Sequence, residues 1–229
     1  MIRHGQCLCG AVEFEVAGPV GQSRRLDQPG LGWFNAAPRA ERGFCRDCRA
    51  SLFWQEKPGV IFGSAGSLDC PTGLDLAGEI FTADAGDYCG LRQGAGNPAA
   101  GERLTCGCLC GGVRFSVSGP AGAVTACHCS RCRRVSGHFA ASFDVAEKAV
   151  DDQARGELAT QGTCGGGSRG FCRTCGLPQW FRARNGGFSV EAGVVPGVTG
   201  GHLVRHIHVA DKGDDYRLDD GVPLQCGAG

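Results

Sequence analysis

Residues 169–175 read Arg-Gly-Phe-Cys-Arg-Thr-Cys, and residues 42–48 read Arg-Gly-Phe-Cys-Arg-Asp-Cys. A second phrase also occurs twice, as Cys7-Leu8-Cys9-Gly10 and as Cys108-Leu109-Cys110-Gly111. Each copy of this second phrase is followed by alternating apolar and polar residues, the period of a half-buried strand. Repetition of whole phrases at a fixed order predicts two tandem copies of one small, mostly β domain.

The two predicted copies differ in length and content. We place the first copy at residues 1–91, a linker at 92–104 and the second copy at 105–229, because the linker is rich in Gly, Ala and Pro. Only the second copy contains the phrase Cys127-His128-Cys129-Ser130-Arg131-Cys132. We interpret the first copy as a structural half that has lost this reactive insert.

The composition of the chain argues against some classes of binding partner. The chain carries 23 basic and 23 acidic side chains, so its net charge is zero and no basic face for nucleic acid is predicted. No stretch approaches the ~20 apolar residues of a membrane span. Cys7 lies too near the N-terminus for a signal peptide to precede it, so we expect a cytoplasmic protein. In that reducing compartment the 16 cysteines favour metal binding over disulfides.

Each copy carries the spacing of a closed zinc site. Residues i and i+2 of a strand point the same way, so the sulfurs of a Cys-x-Cys pair can face one ion, and a Cys-x-x-Cys turn does the same. Four thiolates around one divalent ion make a structural site with no open position. The predicted ligands are Cys7, Cys9, Cys45 and Cys48 in the first copy, and Cys108, Cys110, Cys172 and Cys175 in the second.

The extra phrase of the second copy predicts a different site. Cys127, Cys129 and Cys132 supply three thiolates, and three protein ligands with one open position are typical of a reactive zinc centre. A short helix over 131–136, capped by Ser130, would place Cys132 in its first turn. Cys164 or Cys106 could instead close the site as a fourth sulfur, and the sequence leaves this alternative open.

Charged and titratable residues surround the trio. Arg131 and Arg133 could offset the charge of three thiolates or hold a substrate carboxylate. His128 is expected to point away from the sulfurs, on the opposite face of its strand. His206 and His208 alternate on a later strand, and either could serve as general acid or base.

Together these phrases resemble the family of glutathione-dependent formaldehyde-activating enzymes, which includes the centromere protein V domain. The resemblance implies two Mss4-like antiparallel β domains in tandem, the first of them degenerate. In the second, it implies a structural zinc on the four-cysteine site and a zinc at the active centre on Cys127, Cys129 and Cys132. It also implies a carbon–sulfur lyase that joins formaldehyde to glutathione, giving S-hydroxymethylglutathione.

The leading hypothesis is a zinc-dependent carbon–sulfur lyase, or thiol adduct-forming enzyme. Its substrates would be glutathione or another small thiol conjugate and an aldehyde. The alternative is a non-catalytic zinc- or thiol-binding module, or a scaffold. Because the first copy lacks the trio, one active centre per chain is expected, near the seam between the copies.

Overall fold

The computed structural model describes residues 2–17, 28–56, 59–90 and 101–227. Most of the predicted linker, residues 92–100, lies outside these ranges. The strand β7 begins at Arg103, near the end of the predicted linker.

The first half contains two antiparallel sheets. A hairpin is formed by β1 (Ile2–Gln6) and β2 (Glu13–Ala17). A four-stranded meander follows, in the order β3 (Leu31–Ala37), β4 (Ala40–Cys45), β5 (Ser51–Glu56) and β6 (Val60–Gly63). Both cysteine phrases lie at turns between paired strands. Cys7 and Cys9 therefore follow β1 and do not lie on a strand, whereas the spacing argument assumed a strand there.

The second half repeats this plan and adds to it. Its elements are β7 (Arg103–Gly107), β8 (Arg114–Ser118), β9 (Gly122–Cys127), α1 (Ser130–Ser136), β10 (Ala140–Asp144), β11 (Asp151–Ala154), β12 (Leu158–Gly162), β13 (Ser168–Cys172), β14 (Pro178–Arg182), β15 (Phe188–Glu191) and β16 (Gly201–Ile207). One sheet has the order β11-β8-β7, and the other has the order β12-β13-β14-β15-β10-β9-β16. The predicted mostly β fold is therefore confirmed, and its antiparallel sheets agree with Mss4-like domains.

The insert lies near one edge of the larger sheet. There β9 pairs with β10 on one side and, in parallel, with β16 on the other. The helix α1 follows β9 directly, so the strand end and the helix start carry the cysteine trio. No helix in the described ranges is long and apolar enough to cross a bilayer.

Each half has its own buried core. Val12, Leu52 and Cys45 are fully buried in the first, and Val117, Phe143 and Val190 in the second. The aromatic side chains of Phe34 and Tyr88 cross from the first half and pack against the second core. The two halves are therefore connected by apolar contacts as well as by the covalent chain.

Two aspartates make equivalent contacts in opposite directions across the seam. Asp87 of the first half accepts hydrogen bonds from the amide and hydroxyl of Thr199 and from the amide of Gly200. Asp214 of the second half accepts the same three bonds from Thr72 and Gly73. We call these two contacts the reciprocal clasps. Each half therefore contributes one aspartate to the contact with the other half.

Candidate metal centre and active site

The two four-cysteine groups have the geometry of closed metal sites. In the first half Sγ of Cys9 lies 3.5 Å from Cys7 and 3.7 Å from Cys45. In the second, Sγ of Cys110 lies 3.4 Å from Cys108 and 3.5 Å from Cys172. Sulfurs placed tetrahedrally at ~2.3 Å from one zinc ion are about 3.8 Å apart, so both groups fit that ion.

The backbone supports both groups in the same way. The amide of Val12 donates to Sγ of Cys7 at 3.3 Å, and the amide of Val113 donates to Sγ of Cys108 at 3.2 Å. Such bonds favour thiolate over thiol. Each group ties the first hairpin of its half to a turn between two later strands, so a bound ion would stabilise the fold.

The trio converges although its members come from different local structures. Cys127 ends β9, Cys129 precedes α1 and Cys132 lies in its first turn, yet their sulfurs are all within 4.8 Å of one another. Sγ of Cys129 accepts from the amide of Cys132 at 3.4 Å, which makes Cys129 the helix N-cap. The prediction of Ser130 as the cap was wrong by one residue, because the thiol competes for the same amide. Gly137 ends the helix in a left-handed conformation, with φ 89°.

Hydrogen bonds among the three thiols shift their pKa values in different directions. Hydrogen bonds from the thiols of Cys127 and Cys132 lower the pKa of Cys129. The pKa of Cys127 is raised, because its thiol is the donor in hydrogen bonds to Cys129 and Cys132. One thiolate is thus stabilised by two thiols. A divalent cation among them would favour the thiolate form of all three, since thiolate is the metal-binding form.

No fourth Cys, His, Asp or Glu in the described part of the chain joins this group. Cys106 is fully buried in the second core and its thiol contacts the Leu104 carbonyl at 3.8 Å. Cys164 is exposed and stands outside the group. Neither of the two candidate sulfurs therefore closes the site, and the donor set fits an ion with one coordination position left for another ligand.

A cavity of about 620 Å³ opens onto the trio, and we call it the reactive cavity. Arg131, Arg169, Arg184 and Arg205 line it and give it a cationic wall. Arg169 donates to Sγ of Cys132 at 3.4 Å, and its guanidinium lies 5.0 Å from the Phe181 ring centroid. A thiol that carries carboxylates suits such a wall, because arginine binds carboxylates through paired N–H groups.

Glu191 also lines the reactive cavity. Burial raises the pKa of this carboxyl to about 7, with Arg169 opposing the shift. A group that titrates near neutrality can both take and return a proton at physiological pH. The sequence analysis assigned no role to either residue. Glu191 lies outside the cysteine phrases, and Arg169 opens the phrase 169–175, whose cysteines were predicted to bind a structural zinc.

The three histidines that the sequence analysis considered take different places. His128 is fully buried, and its Nδ1 lies 2.6 Å from the Tyr216 hydroxyl while its Nε2 lies 2.8 Å from Nδ1 of His206. Nε2 of His206 lies 3.0 Å from the Asp220 carboxylate. Both ring nitrogens of His206 are therefore engaged behind the site, whereas His208 lines the reactive cavity.

Arg133 does not line the reactive cavity, although the sequence analysis expected it beside the trio with Arg131. Its side chain is buried, and Nη1 donates to the carbonyls of Gly66 at 3.0 Å and Leu68 at 2.9 Å. Gly66 in turn donates its amide to the Gly137 carbonyl at 2.8 Å. Arg133 thus ties α1 to the first half, and Arg131 is the neighbour that lines the cavity.

The second half of the chain is similar to a known protein family. Residues 103–209 match the family described as glutathione-dependent formaldehyde-activating enzyme. A crystal structure of a Rhodobacter sphaeroides protein is 25% identical, with 42% of this chain and 90% of that chain covered and a TM-score of 0.36. No curated protein matches the chain.

Proposed function

We propose, from the match of residues 103–209 to the glutathione-dependent formaldehyde-activating family, that this chain is a zinc-dependent carbon–sulfur lyase. It would join glutathione or another small thiol to an aldehyde such as formaldehyde, and would cleave the adduct in reverse. The observation that carries the proposal is the convergence of Cys127, Cys129 and Cys132 at the reactive cavity without a fourth ligand among the described residues.

Zinc held by the trio would lower the pKa of a bound thiol and keep it as thiolate at neutral pH. The cationic wall would bind the carboxylates of a thiol such as glutathione. Arg169 contacts Cys132 directly. The other arginines that line the cavity are Arg131, Arg184 and Arg205. They are the residues we assign to substrate carboxylates.

Glu191 is the residue we assign to proton transfer. In the direction of addition it takes the thiol proton. The sulfur electron pair then forms the S–C bond, the carbonyl π pair moves to oxygen, and Glu191 returns the proton to that oxygen. The product is an S-hydroxymethyl thiol, and the reverse sequence breaks the same S–C bond. His208 lines the same cavity and is the second candidate for this proton.

The test is the rate of exchange between glutathione and its formaldehyde adduct, measured by exchange NMR, together with the zinc content. We expect the wild-type chain to accelerate the exchange and to hold three zinc ions, one in each cysteine group. Cys129→Ser should lose the acceleration and about one zinc while keeping its far-UV circular dichroism. Cys164→Ser alters an exposed thiol outside the groups and serves as the matched control.

Two outcomes would contradict the proposal. One is a wild-type chain that holds three zinc ions yet leaves the exchange at its uncatalysed rate. The other is a Cys129→Ser variant that keeps full activity. Binding of glutathione without any acceleration would instead favour the alternative of a non-catalytic thiol-binding module.

A further inference from the structure

The first half has a cavity of its own in the position equivalent to the reactive cavity. Its volume is about 600 Å³, and it lies at the seam between the halves. Its wall contains Arg42, Trp54 and Phe81, which occupy the repeat positions of Arg169, Phe181 and His208 in the reactive cavity. We call it the seam cavity.

The backbone and the ring contacts repeat as well. The guanidinium of Arg42 lies 5.5 Å from the Trp54 ring centroid, as Arg169 lies over Phe181. Phe81 has φ 56° and His208 has φ 55°, both left-handed and each directly before a 3-10 turn. The seam cavity is therefore the counterpart of the reactive cavity and not a packing gap.

The two cavities differ in the residues at the position of the cysteine trio. In the seam cavity that wall is formed by Ser136, Gly137 and His138, at the C-terminal end of α1. Among the described residues none of its lining side chains is a cysteine. A ligand there would be bound without the thiolate chemistry of the other half.

Arg42 gives the seam cavity a positive centre. No carboxylate forms an ion pair with Arg42 in the part of the chain that the structure describes. Glu56 is the acidic residue of the lining, and it is exposed to solvent. Burial lowers the pKa of Arg42, and the Coulomb interaction with Cys175 of the second four-cysteine group opposes that shift. A partly buried guanidinium that has no carboxylate partner favours binding of a carboxylate ligand.

The rest of the wall is apolar and aromatic. The apolar residues that line it are Phe53, Trp54, Phe62, Ile80 and Phe81. The last two are 81% and 78% exposed, although they are large hydrophobic side chains. A flat apolar ligand would remove this surface from water, at roughly 25 cal/mol per Å² buried.

We propose that the seam cavity binds a small aromatic carboxylate. The carboxylate pairs with Arg42, whose stacking on Trp54 leaves N–H groups for a bidentate bond. The ring lies against Trp54 and Phe62 and is covered by Ile80 and Phe81. This site is distinct from the thiol site proposed above and does not depend on zinc or turnover.

The experiment is a calorimetric titration of the full-length, zinc-loaded chain with 2-naphthoate, and in parallel with the neutral 2-naphthylmethanol. We expect 2-naphthoate to bind and Arg42→Gln to weaken it at least ~10-fold, since a charge-assisted pair is worth about 1.5–3 kcal/mol. Binding of 2-naphthylmethanol should change little in this variant. Arg114→Gln, at an exposed position on β8, is the control.

Arg169→Gln separates the two cavities. We expect 2-naphthoate binding to survive this change, because Arg169 lies in the reactive cavity. Loss of binding in Arg169→Gln, equal affinity in Arg42→Gln and wild type, or no binding to the wild-type chain would each overturn the proposal. Should Arg42→Gln fail to fold, the exposed Phe81→Ser gives the same test, with a weakening of several-fold expected.

Discussion

Glu191 lines the reactive cavity, and burial raises its pKa to about 7. Below that pH the carboxyl is protonated and cannot take a thiol proton, and above it the carboxylate can. We therefore expect kcat/KM for adduct formation to rise with pH up to about 7 and then to level. Glu191→Gln should lower the rate by ~10² or more and abolish this rise.

The measurement is a pH–rate profile of the variant beside the exposed Glu102→Gln as control. If the rise near pH 7 persists in Glu191→Gln, another group carries the proton, and His208 is the next to substitute.

Tyr216 supports the buried histidines from behind the site. Its hydroxyl lies 2.6 Å from Nδ1 of His128, which has no exposure to water. Tyr216→Phe keeps the ring and removes this partner, so we expect a loss of about 1–2 kcal/mol in the free energy of unfolding. Urea unfolding measures it, with Tyr88→Phe as the control. An unchanged midpoint in Tyr216→Phe would mean that His128 finds another partner.

At the residue scale the sequence predicted the metal-binding groups and not their surroundings. Cysteine spacing is a local property, so the trio and both four-cysteine groups could be identified from it. Glu191 acquires its raised pKa from burial, and burial depends on strands that are distant in sequence. The hydrogen bond between His128 and His206 joins residues 78 positions apart and has no local signal.

At the scale of secondary-structure elements, the helix α1 connects the two cavities. Its N-terminal end holds Cys129 and Cys132, and its C-terminal end lines the seam cavity. Alternation predicted β2 and β8, the strands that follow the two Cys-x-Cys phrases. The docking of α1 on the first half was not predictable in the same way, since it depends on backbone contacts at Gly66.

Gly66 tests this docking directly. A Cβ at Gly66 would lie 2.5 Å from the Arg133 carbonyl oxygen and 2.5 Å from the Gly137 carbonyl carbon, and these backbone atoms cannot move aside cheaply. We expect Gly66→Ala to displace α1 and to cost about 1–3 kcal/mol of unfolding free energy. Thermal unfolding and the zinc content measure the effect.

The repeat supplies a matched control at the same position of the other half. Gly193 stands in the equivalent 3-10 turn, and a Cβ there has no atom within 4 Å. Gly193→Ala should therefore leave stability almost unchanged. Equal effects of the two substitutions would mean that contact with α1 is not what makes Gly66 necessary.

At the scale of the whole molecule, the two halves contact each other through several side chains. Besides the reciprocal clasps, Arg49 of the first half lies over the Phe171 ring, and the backbone of Gly176, at its repeat position, packs against Phe44. Repetition of the phrases predicted two units. Their mutual arrangement required the structure, because the contacting residues, such as Asp87 and Thr199, carry no cysteine-like signature.

This arrangement predicts that the halves stay together when the chain between them is cut. Residues 93–99 can be replaced by a site for a sequence-specific protease, and the cleaved protein passed over a size-exclusion column. We expect one peak that contains both fragments, because the clasps and the packing of Phe34 and Tyr88 remain.

The clasps should account for a measurable part of this affinity. Hydrogen bonds to a carboxylate contribute about 1.5–3 kcal/mol each where they are buried, and less here because Asp214 is exposed. The cleaved double variant Asp87→Ala/Asp214→Ala should dissociate at least ~10-fold more readily, whereas cleaved Asp219→Ala should behave as wild type. Separation of the wild-type fragments without denaturant would show that the covalent link, and not the seam, holds the two units together.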